Sequence, residues 1–262
     1  MPSLQRITIF PVKALDGHDV ASTTILPSGA LAEDRRYALV DAWGRFVNGK
    51  RYQAIHRIRA RYHDNFQSVA LSCDGVEATY SLAQDQDAIA RWCGEVLEIS
   101  CKLLENADYG FPDDREASGP TLISTASLAT VAEWFKLPLE EARRRFRMNL
   151  EVADTPPFWE DQLVPEYRQV RRFRIGNTVW QGRGVCQRCA VPTRNACSGA
   201  ASAGFAQEFV RRRQATLPAW SPVGRFDHFY RLGVNTALES LDRENVIHVG
   251  DPVQPMKSRR LG

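Results

Sequence analysis

Short runs of alternating residues, each closed by a turn former, crowd the first third of this chain and constrain its fold more than any other feature. Leu4-Gln5-Arg6-Ile7-Thr8-Ile9-Phe10 alternates β-branched and polar residues, and Pro11 ends its ability to donate along a ladder. Tyr37-Ala38-Leu39-Val40 predicts a second strand that turns at Asp41-Ala42-Trp43-Gly44 into Arg45-Phe46-Val47. Ser68-Val69-Ala70-Leu71-Ser72 and Ala78-Thr79-Tyr80-Ser81-Leu82 flank Asp74-Gly75, a hairpin signal. Several short strands with turns between them predict a small barrel or sandwich.

Helical patterns interrupt and then follow this β-structure. Residues 88–97 place Ile89, Trp92, Cys93 and Val96 on one face, which assigns Cys93 to the core. Further helices are expected over 126–135, 139–145 and 203–213, with Ser124 or Thr125 capping the first of these. The free amides at that helix start form one candidate anion site. Arg147 and Asn149 alternate with Phe146, Met148 and Leu150, so residues 146–152 predict a strand with both polar side chains on one face. A hairpin over 173–180 follows. The turn formers of residues 106–114 mark a boundary, dividing the chain into 1–108 and 109–262.

With 262 residues, 44% of them hydrophobic, the chain can bury a sizeable core. No apolar run approaches the ~18–20 residues of a membrane span, and the N-terminus lacks the pattern of an export signal, so a cytoplasmic protein without membrane association is expected. On that basis the six cysteines are expected as reduced thiols. A net charge of +3 is too small to imply a nucleic-acid partner. The arginine runs at 143–145 and 211–213 stand beside acidic residues and read as solvated helix faces.

Chemistry concentrates in Val179-Trp180-Gln181-Gly182-Arg183-Gly184-Val185-Cys186-Gln187-Arg188-Cys189-Ala190-Val191-Pro192-Thr193-Arg194. Two thiols lie three residues apart among arginines. Guanidinium charge nearby favours the thiolate, the form of cysteine that attacks or binds metal. Arginine also presents a planar fork to phosphate. These residues alone fit either a soft ligand beside an anion or an ordinary loop with two cysteines. Lys13 and Arg35, at strand ends, read as binding groups or as plain surface charges.

In order along the chain, Ile9-Phe10-Pro11-Val12-Lys13, Asp34-Arg35, Thr125-Ala126-Ser127-Leu128, Phe146-Arg147-Met148-Asn149, Cys186-Gln187-Arg188-Cys189 with Pro192-Thr193, and Val249-Gly250-Asp251-Pro252-Val253 resemble successive motifs of one family. That family is the MOSC superfamily, in its branch with an N-terminal β-barrel, which includes the mitochondrial amidoxime-reducing component and bacterial counterparts. The resemblance implies a β-rich α+β fold: an N-terminal β-barrel-like domain packed on a MOSC β-barrel domain with peripheral helices. It implies a molybdenum cofactor (Mo-molybdopterin) with Cys189 as the metal ligand and catalytic residue. Lys13, Arg35, Arg147, Asn149, Gln187, Arg188 and Ser118 fall at cofactor-binding positions. The sequence departs from close relatives at Ala14, where serine is usual, around Arg115-Glu116-Ala117-Ser118, and after the cysteines at Arg194-Asn195-Ala196-Cys197-Ser198-Gly199.

The activity so implied is reduction of small N-oxygenated (N-hydroxylated) compounds, with electrons from a separate cytochrome, flavodoxin or ferredoxin type of protein. A second class is a molybdenum cofactor carrier or sulfur-transfer protein using the same cysteine. A third is a zinc or redox site at Cys186 and Cys189, which lacks a matching second pair.

Overall fold

The computed structural model describes residues 1–114, 116–167, 169–241 and 245–260. Its centre is a nine-stranded sheet among the described residues. Along the sheet run Val253–Pro255, Gln169–Ile175, Thr178–Gln187, Arg231–Leu241, Leu122–Ser124, Leu150–Ala153, Ser3–Ile9 and His18–Val20, with Arg259–Arg260 also paired to Gln169–Ile175. All its pairs are antiparallel except Leu122–Ser124 with Leu150–Ala153. A parallel pair needs a crossover, and helices lie between these two strands in the chain.

The first strand shows how sequence becomes placement. Leu4, Ile7 and Ile9 are all buried although a strict two-residue period would separate Leu4 from the other two. A register shift between Leu4 and Arg6 against Leu150–Ala153 absorbs the mismatch, as a bulge does. The strand therefore packs its apolar residues with Leu150, Val152, Phe173 and Trp180 in one cluster.

Smaller sheets complete the N-terminal part: Tyr37–Asp41 with Cys101–Glu105, and the meander Arg59–His63, Ser68–Cys73, Val76–Ser81. The 68–82 hairpin forms as expected, whereas residues 45–47 contribute one bridge, Val40 to Phe46, and no strand. Helix α1, Gln86–Leu97, buries Ile89, Trp92, Cys93 and Leu97 against this layer, so Cys93 is indeed core.

Helix α2, Thr125–Trp134, begins where Ser124 Oγ accepts from Ala126 N at 3.1 Å. Helix α3, Leu139–Phe146, follows, and α4 is Phe205–Ala215. Here the structure corrects the predicted strand over 146–152. Helical bonding continues to Arg147 N, which donates to Arg143 O at 2.8 Å, and Arg147 then turns left-handed at φ 53°. Only Leu150–Ala153 is strand, so Arg147 and Asn149 share a turn, not a sheet face.

The arginine runs meet the expectation of solvated faces at Arg144, Arg211 and Arg212 and depart from it at the remaining positions. Arg145 is buried, with Nε donating to Glu141 at 2.7 Å, and Arg143 bridges Glu140 and Glu151. Arg213 is wholly buried and paired with an equally buried Asp161. An acid four residues away holds Arg145 inside as readily as it would at a solvated face, and the acid that holds Arg213 stands 52 residues away, so the local charge pattern could not separate the two outcomes. No helix among the described residues is long and apolar enough to cross a membrane.

Candidate functional site

Side chains from both ends of the chain surround one cavity of about 780 Å³. Lys13, Arg35, Ser118, Arg147, Asn149, Gln187, Arg188 and Cys189, singled out from distant motifs, all line it.

Lys13 is placed by backbone pairing. Tyr37 N donates to Pro11 O at 2.9 Å and Lys13 N to Tyr37 O at 2.7 Å, which carries the chain past Pro11 onto the strand Tyr37–Asp41. Its Nζ, almost removed from solvent, donates to Phe111 O at 2.8 Å and pairs with Asp113 at 2.5 Å. Burial pulls the Lys13 ammonium below its ordinary pKa, opposed by Asp113. Arg35 also sits in a left-handed turn, φ 51°, fixed by Arg35 N to Phe10 O at 2.8 Å. Its guanidinium pairs with Asp34.

Arg147 completes the cationic wall. Its guanidinium carbon lies 4.3 Å from the Phe10 ring centroid and that of Arg35 lies 5.2 Å from the same ring. Burial, then the neighbouring Arg35 charge, lowers the Arg147 pKa to about 10. Among the described residues no carboxylate comes within ion-pairing distance of Arg147. Three cations thus face one space with the exposed Asp113 and the largely buried Asp34 as counter-charges, an excess that a ligand anion would offset.

Asn149 holds this arrangement. Its Nδ2 donates to Thr8 O at 3.1 Å and Asp34 Oδ1 at 3.0 Å, while Oδ1 accepts from Thr121 N, Thr121 Oγ1 and Arg35 Nη1 at 3.2, 3.1 and 3.3 Å. Both amide hydrogens are committed, so Asn149 acts on the cavity through Arg35 and Asp34. Ser118 likewise spends its hydroxyl hydrogen on Ser28 O at 2.6 Å. Arg115, in the same departing stretch, lies outside the described residues.

The two thiols differ. The strand Thr178–Gln187 runs further than expected and carries Cys186 inside it, buried, with Sγ 2.9 Å from Asn235 Oδ1. Burial pushes the Cys186 thiol up to about 12, the reverse of the expected lowering; desolvation outweighs the Arg188 charge. Cys189 lies beyond the strand, partly exposed, and accepts from Val191 N at 3.4 Å. Arg188 between them donates to Phe146 O at 2.5 Å and leaves its buried Nε without a partner. Gln187 is exposed on the cavity wall. All six cysteines are unpaired, and no cluster of three or more His, Cys, Asp or Glu with metal-ligand geometry occurs among the described residues.

Several charged or titratable residues that no motif indicated also line the cavity, among them Asp16, Arg59, Asp113 and His56. Asp113 sits in the stretch read as a boundary, and its turn-forming composition hid its charge. By contrast, the α2 start is absent from the wall: its cap is satisfied by Ser124, and the Glu160 carboxylate accepts from Ser124 N at 3.2 Å.

A family profile for the MOSC N-terminal beta barrel domain matches residues 1–136, and one for the MOSC domain matches residues 116–254. The chain belongs to the MOSC family. Curated relatives of this MOSC protein include the molybdenum cofactor sulfurase of Drosophila grimshawi, 26% identical over 72% of the chain and 27% of that protein. The molybdenum cofactor sulfurase 2 of Culex quinquefasciatus is 23% identical over 97% of the chain and 37% of its own length. That of Caenorhabditis elegans is 28% identical over 39% of the chain and 14% of its length. The MOSC chain therefore spans well under half the length of these curated relatives. Its two profile matches meet where Leu122–Ser124 enters the large sheet beside the cavity.

Proposed function

We propose that this MOSC protein binds the molybdenum cofactor in the cavity through Cys189 and reduces small N-oxygenated compounds with electrons from a separate one-electron donor. The observation that carries the reading is that Lys13, Arg35, Arg147 and the Cys189 thiol line one cavity. The donor set fits such a group. A partly exposed thiol suits a soft or high-valent metal, and clustered buried cations suit a phosphate-bearing pterin. The orphaned Arg188 Nε is a further buried donor at the same wall.

Cys189 would hold the metal, with Lys13, Arg35 and Arg147 on the anionic groups. Asn149 keeps Arg35 oriented, and Cys186 packs the strand against Asn235. When bound, the cofactor supplies the two-electron reduction, and the protein supplies position, charge and exclusion of water. A cavity of about 780 Å³ leaves space beside the cofactor for a small substrate.

The relatives' name, molybdenum cofactor sulfurase, favours a second reading, sulfur transfer with Cys189 carrying a persulfide. One experiment separates them. Protein from cofactor-replete cells is assayed for molybdenum and for benzamidoxime reduction with an artificial one-electron donor, and Cys189 is examined by mass spectrometry. Molybdenum with benzamidoxime turnover supports the reductase. A persulfide on Cys189 without turnover supports the sulfur carrier, and zinc in place of molybdenum removes both.

A further inference from the structure

The cavity wall built by the N-terminal part carries one imidazole, His56, which none of the recognised motifs includes. His56 lies on the 3-10 helix Gln53–Arg57, whose approach is fixed by Tyr52 Oη donating to Asp41 at 2.9 Å. The Nε2–Cδ2 edge of its ring packs on two glycines. A Cβ at Gly49 would stand 2.4 Å from Nε2, and one at Gly199, where φ is +71°, would stand 3.3 Å from Cδ2. Nε2 is buried and has no hydrogen-bond partner. The ring is thus held firmly on a polar cavity, with Nε2 turned to the Gly49 backbone.

The charged groups facing it are all cations: Arg194 from the loop after the cysteines, Arg147 from the end of α3, and Arg59 from the strand Arg59–His63. Arg59 is itself paired with Asp16. Burial first, then Arg194 and Arg147, lowers the imidazole pKa against an opposing contact from the Gly49 backbone, so the neutral ring is favoured and the imidazolium, once formed, is a stronger acid than a free one. Lys50, Tyr109 and Glu116 also line the cavity but are exposed, Asp16 is paired with Arg59, and Asp114 accepts from Asn235 Nδ2 at 3.1 Å. Lys13 holds Phe111 O and Asp113, Asp34 holds Arg35, and Cys186 is held protonated by burial.

We propose that His56 delivers protons to the substrate in this cavity, an inference that rests on the reductase reading above. Reduction of R–NH–OH to R–NH₂ and water breaks the N–O bond, forms an N–H and an O–H bond, and consumes two electrons and two protons. The electrons come from the one-electron donor protein. The protons must cross a wall of fixed cations, where imidazole is the side chain whose charge changes between pH 5 and 8.

The test uses cofactor-loaded protein, benzamidoxime and excess artificial donor. His56→Gln should keep the wild-type molybdenum content and lower kcat by about 100-fold, with KM changed by less than about threefold. Added imidazole should restore part of the rate. Wild-type kcat should fall as pH rises through the His56 pKa measured by ¹⁵N NMR of the imidazole, and that dependence should vanish in the variant. In the same spectra, the product benzamidine should shift the His56 signal. An unchanged kcat and pH profile in His56→Gln, or molybdenum lost in step with activity, overturns the inference while leaving the reductase reading in place. Wild-type protein that turns over no N–O compound overturns both.

Discussion

Replacing Arg213 by methionine tests whether the buried ion pair behind the cavity strand behaves as its geometry requires. Arg213 and Asp161 are both 0% exposed, and Asp161 Oδ2 also accepts from Ser221. The guanidinium carbon stands 4.0 Å from the Phe158 ring centroid and 5.2 Å from that of Phe226. Methionine keeps an unbranched stem of similar reach, so the principal change is an Asp161 charge left in the interior beside Glu160. Breaking one side of a buried pair costs about 3–5 kcal/mol. At about 2–4 °C per kcal/mol for a chain of this size, the midpoint should fall by about 6–20 °C. The measurement is thermal and urea unfolding of wild type, Arg213→Met, Asp161→Asn and the double variant. The double variant should recover a large part of the loss, because neither charge then stays unpaired. A loss below about 1 kcal/mol in Arg213→Met, or a double variant as unstable as the sum of the singles, would refute the reasoning.

Glu160 offers a pH counterpart. Burial, and Asp161 alongside, push its carboxyl up to about 8, so the folded state favours the protonated form. The associated stability is full below the unfolded carboxylate pKa and is lost as pH rises through about 8. Glu160→Gln should therefore flatten the decline of the unfolding midpoint between pH 5 and 9, by an amount on the order of a few kcal/mol; a curve parallel to wild type would count against it. Gly182→Ala should destabilise by about 2 kcal/mol or more in urea unfolding, because its Cβ would stand 1.9 Å from the Leu163 carbonyl oxygen, a backbone atom with little room to move. In cofactor-replete expression, Cys189→Ser should lose bound molybdenum and benzamidoxime turnover while Cys186→Ser keeps both in part, as metal analysis would reveal. Asn149→Ala should weaken molybdenum retention through Arg35 with Cys189 intact, and retention equal to wild type would limit Asn149 to packing.

The strands with clear alternation and the helices with one apolar face could be read directly, since each pattern reports which side meets the core. Residues 146–150 could not, because Phe146, Met148 and Leu150 satisfy a two-residue period while a left-handed turn at Arg147 achieves the same burial. Burial of Arg145 and Arg213 depends on what packs above them, information held by distant residues. Lys13, Arg35, Arg147 and Arg188 were identifiable because each stood in a motif, whereas Lys50 and Arg59, which line the same cavity, lay outside every motif. His56 stood in none, and its place on the wall follows from glycines at 49 and 199 that only the folded chain brings together. The pKa direction at Cys186 was misjudged for a related reason: a charge nearby is visible in sequence, and desolvation is not.

The cations of the cavity come from segments that lie far apart, and Asn149 bonds to three separate stretches of the chain at once, at Thr8, at Asp34 with Arg35, and at Thr121. No fragment of the chain can therefore present the complete anion seat before the rest has closed around it. A ligand that requires the whole seat binds the native state and not the unfolded one, so its free energy is added to global stability as RT ln(1 + [L]/Kd). Ligand supply would then govern how long the protein lasts in the cell, with unliganded molecules opening more often and reaching proteases first.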